Sequence, residues 1–424
     1  MELRIVVGVN WGDEGKGRMV DYFAKSTDYV VRYQGGNNAG HTVVNELGEF
    51  KLHLIPSGIF YDDVVNVLGP GTAINLEAVI DEIEKLRARG IKINEKNYKI
   101  SNRAVICFPF HKLQDEYEEE RLGAKMFGST KQGIAPVYGD KYMKYAIQIG
   151  SLFYPQYLKD QIKRCLELKN RIFTKVYGKP AVDVDEMIEW TVRYGDLLKP
   201  YICDTIQLLD KAQKSNKRIL LEGQLGTLRD VHYGIYPYTT SSCPLSDFGP
   251  IGAGLFVNQR PLVTGVMKAF STCVGEGPFV TEIKSKLADS IREVSHEYGA
   301  ATGRPRRIGY FDAVASRYGA RVQNATEIAL TKLDSLSGQE TLKICTHYRI
   351  GSRTIDYFPI TAELMDTQPV YTDVAGWQEH ITPIRSYNKL PKSARDYVET
   401  IERLVEKPIR YISVGPEREA LITR

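Results

Sequence analysis

Arg4-Ile5-Val6-Val7-Gly8-Val9-Asn10-Trp11-Gly12-Asp13-Glu14-Gly15-Lys16-Gly17-Arg18 is the stretch that decides the fold. A β-branched run over Arg4–Val9 passes into a glycine-rich turn, which opens an amphipathic stretch from about Lys16 to Ala24. A strand, glycine loop and helix in this order are built to hold phosphate. Glycines let backbone N–H groups approach an anion, the helix N-terminus contributes about half a positive charge, and Lys16 can reach a terminal phosphate. The spacing is not that of a Walker A loop: six residues rather than four separate Gly8 from Gly15, and Gly17 follows Lys16 where Ser or Thr would hold Mg²⁺. Asp13 is the substitute ligand, since a hard cation takes one or two carboxylates beside phosphates and water.

On both sides of this stretch, short apolar runs alternate with amphipathic ones. Strands are predicted at Tyr29–Tyr33, Asn66–Leu68, Arg218–Leu221, Leu262–Phe270, Glu327–Leu330, Leu342–His347 and Ile409–Val414, and helices at Leu76–Arg89, Leu287–Tyr298, Tyr310–Val322 and Ser393–Val405. Between about Pro109 and Asn216 the pattern is mostly helical, with apolar periodicity over Leu152–Leu168, Val184–Leu198 and Asp204–Ala212. The predicted fold class is α/β: a large, mostly parallel central sheet flanked by helices, P-loop-NTPase-like with a variant phosphate loop. Residues 1–424 are expected to form one large domain with a helical insertion at about 109–216, the two halves completing one sheet. The acidic run Asp115–Glu120 reads as a solvated helix face.

Of the 424 residues, 56 are Lys or Arg and 52 Asp or Glu, a net charge of +4 that is too slight to argue for a nucleic-acid partner. The N-terminal residues lack the basic and apolar segments of a secretory signal, and no run nears 18 apolar residues, so no membrane association is expected and the chain reads as cytoplasmic. Six cysteines at least 30 residues apart, without a C-x-x-C pair, exclude structural zinc and a disulfide framework; buried, reduced thiols are expected.

A second polar segment, Gln34-Gly35-Gly36-Asn37-Asn38-Ala39-Gly40-His41-Thr42, follows a predicted strand directly, where ligands of open α/β sheets bind. His41, flanked by glycine and amides, reads as functional, whereas His53, His111 and His347 read as structural. Trp11–Gly17 and Gln34–Thr42 closely resemble the signatures of the adenylosuccinate synthetase family. Segments resembling the same family follow in order at Gly128–Pro136, Glu222–Thr227, Tyr236–Ser242, Gly265–Phe270, Thr302–Gly309, Thr331–Asp334 and Ser413–Pro416, so the resemblance spans essentially the whole chain.

The resemblance implies a GTP-dependent ligase that joins L-aspartate to IMP through 6-phosphoryl-IMP. The products are adenylosuccinate, GDP and phosphate, in the first committed step of AMP synthesis; Mg²⁺ is the cofactor and a homodimer shares its active sites. Such a route makes chemical sense, because phosphorylating a poor leaving group splits one difficult substitution into two, and in-line transfer mostly needs positioning and charge neutralisation. By resemblance, the catalytic residues are Asp13, Lys16 and His41. Asp13 takes the N1 proton of IMP, His41 acts as acid toward the transferred phosphoryl, and Asp13 and the Gly40 carbonyl ligate the metal. GTP is framed by Gly12, Glu14, Gly15, Lys16, Gly17, Arg18, Gly40, His41, Thr42, Arg306, Lys332, Leu333, Asp334, Ser413, Val414 and Gly415. Asp334 reads guanine through its N1–H and amine, where adenine offers an acceptor. IMP is expected at Asp13, Asn38, Ala39, Thr130, Lys144, Gln224, Thr240 and Arg304, with Thr130 and Thr240 at the 5′-phosphate. Aspartate is expected at Ala300, Ala301, Thr302, Arg304 and Arg306, in a run whose packed guanidinium groups suit carboxylates.

The chain departs from the family pattern in places. Lys144 stands where an arginine reaches across the dimer interface, Arg18 replaces a lysine, and Gln224 comes one position early, leaving Leu225 at the glutamine's place. Ala301 replaces a threonine and Cys273 an arginine. The alternatives these raise are a ligase for another purine monophosphate and a non-catalytic nucleotide-binding regulator.

Overall fold

The buried run Leu3–Gly8 forms β1 at the middle of a ten-stranded sheet. A computed structural model describes residues 2–38, 40–299 and 303–424. The other strands of this sheet are β2 (Tyr29–Arg32), β3 (Val65–Leu68), β4 (Tyr98–Ser101), β5 (Ile202–Cys203), β6 (Ile219–Gly226), β7 (Leu262–Lys268), β8 (Glu327–Thr331), β9 (Ile409–Ser413) and β10 (Leu421–Thr423). Their spatial order is β10-β9-β8-β7-β1-β6-β2-β3-β4-β5. Every pairing is parallel except β9 with β10. As expected, the two halves of the chain meet in one sheet, because β1 lies between β6 and β7 from the second half. A parallel sheet covered on both faces wants strands apolar on both sides, and β1, β6 and β8 are buried along almost their whole length.

One predicted strand does not join this sheet. The segment around Leu342–His347 extends to Thr341–Ile350 and belongs to a separate sheet, parallel to Phe311–Asp312 and antiparallel to Arg353–Ile355 and Gln368–Ala375. Exposed His347 and Arg349 alternate with buried Ile344 and Tyr348, the pattern of a strand wet on one face.

Helix α1 (Lys16–Ala24) follows β1, and α2 (Leu76–Ala88) follows β3. The helical region comprises α3 (Pro109–Leu122), α4 (Ile134–Met143), α5 (Pro155–Lys175), α6 (Val184–Leu198) and α7 (Thr205–Lys214), interrupted by the edge strand β5. Phe108, Phe110, Leu158, Ile162 and Phe173 share one apolar cluster with Ile80, Ile83, Tyr98 and Ile100, so the helical region packs directly onto the flank of the sheet. Helices α8 (Lys286–Ser295), α9 (Ala313–Val322) and α10 (Lys392–Val405) cover the other end.

Two readings need correction. The acidic run on α3 is not a wholly solvated face: Asp115 and Glu119 are buried because they accept hydrogen bonds from residues 127–133. All six cysteines are free, but Cys203 and Cys243 are only half-buried. Among the described residues, no helix is long and apolar enough to cross a membrane.

Candidate active site

Because the strands from β9 across to β4 run parallel, their C-terminal ends share one edge of the sheet, and that edge is where the polar residues gather. Gly8 ends β1, Arg32 ends β2, Lys268 ends β7, Thr331 ends β8 and Ser413 ends β9, while Glu222 lies in β6 opposite Arg32.

The loop between β1 and α1 closes around its own glutamate. Glu14 Oε1 accepts from the Asn10 and Gly12 amides at 3.1 and 2.8 Å, and Lys16 Nζ donates to Glu14 Oε2 at 2.6 Å, with both side chains buried. Lys16 therefore sits within the phosphate loop, paired with an anion of the chain. Gly15 caps α1 at φ +97°, a left-handed conformation that favours glycine. At Gly17 a Cβ would stand 2.6 Å from the His41 Cβ, so the missing side chain is what lets α1 approach that histidine.

His41 is 6% exposed, and its Nδ1 lies 2.5 Å from Glu222 Oε1 and 3.3 Å from Arg32 Nη2. Its Nε2 is buried without a partner. Burial and the Arg32 charge lower the His41 pKa against the opposing pull of Glu222. Burial would raise the Glu222 pKa, but Arg32, His41 and two hydrogen bonds from Ser57 bring it down to about 2.

Asp13, at φ +59°, faces Arg306 with Oδ2 3.2 Å from Nε. Burial raises its pKa, but the charges of Arg306, Lys268, Lys16 and His41 outweigh that and hold the carboxyl below its ordinary value. Behind Arg306 lies fully buried Glu297, which accepts from Arg306 Nη1 at 2.5 Å and from Lys268 Nζ at 2.7 Å. Burial brings the Lys268 ammonium down to about 8 against the attraction of Glu297.

Around β8 and β9 lie Asp334, expected at guanine, and several of the other residues expected at GTP. Asp334 Oδ1 is buried and unpartnered, and burial raises its pKa against the charges of Lys332 and Arg18. Arg18 donates from Nη2 to the Glu417 and Ala420 carbonyls, leaving buried Nε and Nη1 without partners. Lys332 Nζ donates to the Ser295 carbonyl, Leu333 is fully buried, and the Ser413 hydroxyl turns back to the Gly415 carbonyl at 3.0 Å, with buried Val414 between them. Thr42 is exposed in the hairpin that begins at His41.

Of the residues expected at IMP, Asn38, Gln224, Thr130 and Thr240 lie toward β6, on the other side of β1. Among the described residues, Asn38 Oδ1 is buried without a partner, as is Gln224 Oε1. Gln224 Nε2 donates to the Gly36 carbonyl at 3.2 Å, so this amide stays beside the Gln34–Thr42 segment while Leu225 packs over Gly12. Thr130 lies on a segment linked through Gln132 to Asn37, and through the Phe127 ring to Tyr238, two residues before Thr240. Arg304 is exposed, two residues before Arg306. Lys144 stands exposed at the left-handed C-cap of α4, about 15 Å along that helix from the Thr130 segment at its N-terminus. Ala39, Ala300, Ala301 and Thr302 lie outside the described residues. Cys273, where an arginine was expected, has the Arg229 guanidinium 3.1 Å from its Sγ.

Sequence reasoning missed Arg32, Glu222, Lys268 and Glu297 as site residues. For three of them a signal existed: a single charge closing an apolar strand, which burial tolerates only when it is paired. Glu297, in the turn after α8, carried none.

The fold and this edge define a class: an α/β protein that handles nucleotide phosphates on a variant phosphate loop, beside a buried carboxylate–histidine pair. The adenylosuccinate synthetase family model matches residues 5–422. The chain is 46% identical over 423 residues to an adenylosuccinate synthetase of Caldanaerobacter subterraneus subsp. tengcongensis, covering 100% of this chain and 99% of that protein. It is 44% identical over 419 residues to that of Limosilactobacillus fermentum, covering 99% and 97%. The fully ligated adenylosuccinate synthetase of Plasmodium falciparum superposes with a TM-score of 0.94 at 32% identity, with complete coverage of both chains. The chain belongs to the adenylosuccinate synthetase family. It is a GTP-dependent ligase of IMP and L-aspartate, the reaction of that family.

Proposed function

We propose that the site carries out this ligation in two steps, with Asp13, Lys16 and His41 as the catalytic residues. Asp13, ionised at neutral pH, takes the N1 proton of IMP, and O6 then attacks the γ-phosphorus of GTP as GDP leaves. The amine of aspartate next displaces phosphate at C6, forming the C–N bond and releasing its proton. Lys16 passes from Glu14 to the nucleotide phosphates, and His41 Nε2 faces the transferring group. Asp13 and the Gly40 carbonyl are hard oxygen donors suited to Mg²⁺, whose chemistry there is to neutralise charge on the phosphates.

One observation carries this reading. Buried polar atoms normally have partners, yet His41 Nε2, Asn38 Oδ1, Gln224 Oε1 and Asp334 Oδ1, from three separate segments, have none among the described residues. Residues of the Arg304–Arg306 run suit the carboxylates of aspartate, and Thr130 with Thr240 suit the IMP 5′-phosphate. The same reading takes 1–424 as one domain with the helical insertion, places the enzyme in the cytoplasm, and gives exposed Lys144 to the partner's site in a homodimer. The test is a spectrophotometric assay with IMP, GTP, aspartate and Mg²⁺, each omitted in turn. Turnover is expected only with all four present; activity without Mg²⁺ would remove its assigned role, and preference for another purine monophosphate would overturn the IMP assignment.

A further inference from the structure

Helix α3 carries two buried carboxylates that the reaction does not use. Asp115 and Glu119 are four residues apart, hence on one helical face, and each is only 7% exposed. Five hydrogen bonds from residues 127–133 end on them. Glu119 accepts from the Phe127 amide at 3.1 Å and from the Gly128 and Ser129 amides at 3.0 Å each. Asp115 accepts from the Ser129 hydroxyl at 2.7 Å and from the Gly133 amide at 2.9 Å. All four carboxylate oxygens are engaged, and bonds to an ionised acceptor are roughly twice as strong as neutral ones.

Three consecutive amides turned toward one carboxylate make a concavity of the kind that binds anions, and here the chain fills it with its own. Between these anchored residues lie Thr130–Gln132, of which Lys131 turns back to α3, its Nζ 3.7 Å from Glu116 Oε1. Gln132 Oε1 accepts from Asn37 Nδ2 at 2.8 Å, and Asn37, itself 8% exposed, keeps a buried Oδ1 without a partner beside Asn38, whose Oδ1 is likewise unpartnered. The Phe127 ring meets Tyr238 edge-on at 6.1 Å.

We infer that Asp115 and Glu119 are positioning residues for the monophosphate end of the IMP subsite: they draw the 127–129 and 133 amides inward and so hold Thr130 opposite Thr240 and Asn38. The inference rests on the assignment of Thr130 and Thr240 to the IMP phosphate. Two carboxylates near a phosphate repel it, so their contribution is geometric. The opposite arrangement, in which Glu119 occupies amides that the phosphate itself would take, predicts the opposite sign on removal.

The test is steady-state kinetics of full-length Glu119→Gln and Asp115→Ala, each substrate varied in turn, beside Thr130→Ala. An amide cannot accept from three N–H groups without turning its NH₂ on one of them, and alanine at 115 accepts from neither Ser129 nor Gly133. The IMP KM is therefore expected to rise roughly tenfold or more in both carboxylate variants, while the GTP KM moves less than about twofold. Thermal melts of the same proteins give the structural reference: a lowered melting temperature with an unchanged IMP KM would overturn the inference, as would a lowered IMP KM. Should Glu119→Gln fail to fold, Asp115→Ala, which leaves the three-amide concavity intact, decides the question alone. If Thr130→Ala raises the IMP KM and the carboxylate variants do not, the positioning role falls and the phosphate assignment stands. If Thr130→Ala also leaves it unchanged, both fall.

Discussion

Glu222 decides what His41 can do. With Nδ1–H donated to Glu222, a neutral ring presents Nε2 as an acceptor, and it becomes a donor only by taking up a second proton. Burial and Arg32 disfavour that proton in the free chain. An arriving phosphate and the Glu222 carboxylate both favour it, which suits a group that must donate only when the phosphoryl is in place. Glu222→Gln is expected to lower kcat roughly 10²-fold while moving the GTP KM little, because the interaction grows in the transition state. The variant also tests stability against pH. The Glu222 pKa is depressed from 4.5 to about 2 in the fold, so its contribution is complete above about 4.5 and is lost as pH falls toward 2. Urea midpoints measured at pH 5, 4 and 3 should fall less steeply in Glu222→Gln than in the parent. At neutral pH the variant should be the less stable protein, since buried Arg32 loses the stronger of the two carboxylate charges acting on it and keeps only that of Glu82.

Among the elements, the join of β1 and β6 matters most. Val6 pairs with Glu222 but Gly8 pairs with Gly226, so β6 carries a bulge over residues 223–225, with Leu225 at φ +58°. Bulges re-aim side chains, and this one leaves Gln224 against Gly35 and Gly36 while the Leu225 backbone packs on Gly8 and Gly12. In register arithmetic Gln224 is one place early; in space its Oε1 is an unpartnered acceptor beside the Asn37–Asn38 turn. Gln224→Ala combined with Leu225→Gln is therefore expected to raise the IMP KM up to about tenfold, the size of one lost hydrogen bond. A lower IMP KM would show that the glutamine belongs at 225. The strands and helices themselves were legible from apolar periodicity, as at Lys16–Ala24 and Val184–Leu198. The bulge was not, because a residue-by-residue pattern holds no information about which neighbour a strand pairs with or where the pairing slips.

Over the whole molecule, the parallel sheet converts distance along the chain into proximity. Residues as separate as Thr331 and Glu14 touch, with the Thr331 hydroxyl donating to the Glu14 carbonyl at 2.6 Å. Among the described residues, Lys144 stands apart from this gathering, exposed at the far end of α4. If it serves the site of a second subunit, mixing Lys144→Leu with Asp13→Ala, each inactive alone, should restore activity once subunit exchange is verified by mass. Exchange without recovered turnover would leave Lys144 outside the site.

By itself the sequence determined the α/β class, the phosphate loop and the candidates Asp13, Lys16 and His41, because glycine spacing, apolar periodicity and charge type are local properties; Asp334 entered only through the family resemblance. Only the tertiary structure decided their partners. It joined His41 to Glu222 and Asp13 to Arg306, placed Glu297 and Lys268 behind them, and turned Asp115 and Glu119 inward from a run that looked solvated. The physical reason is burial: a charge closing an apolar strand signals that it must be paired, but nothing in the chain's linear order marks which other charge will neutralise it. That is settled only when the sheet closes over the site and leaves each ion the partners that its neighbouring strand ends provide.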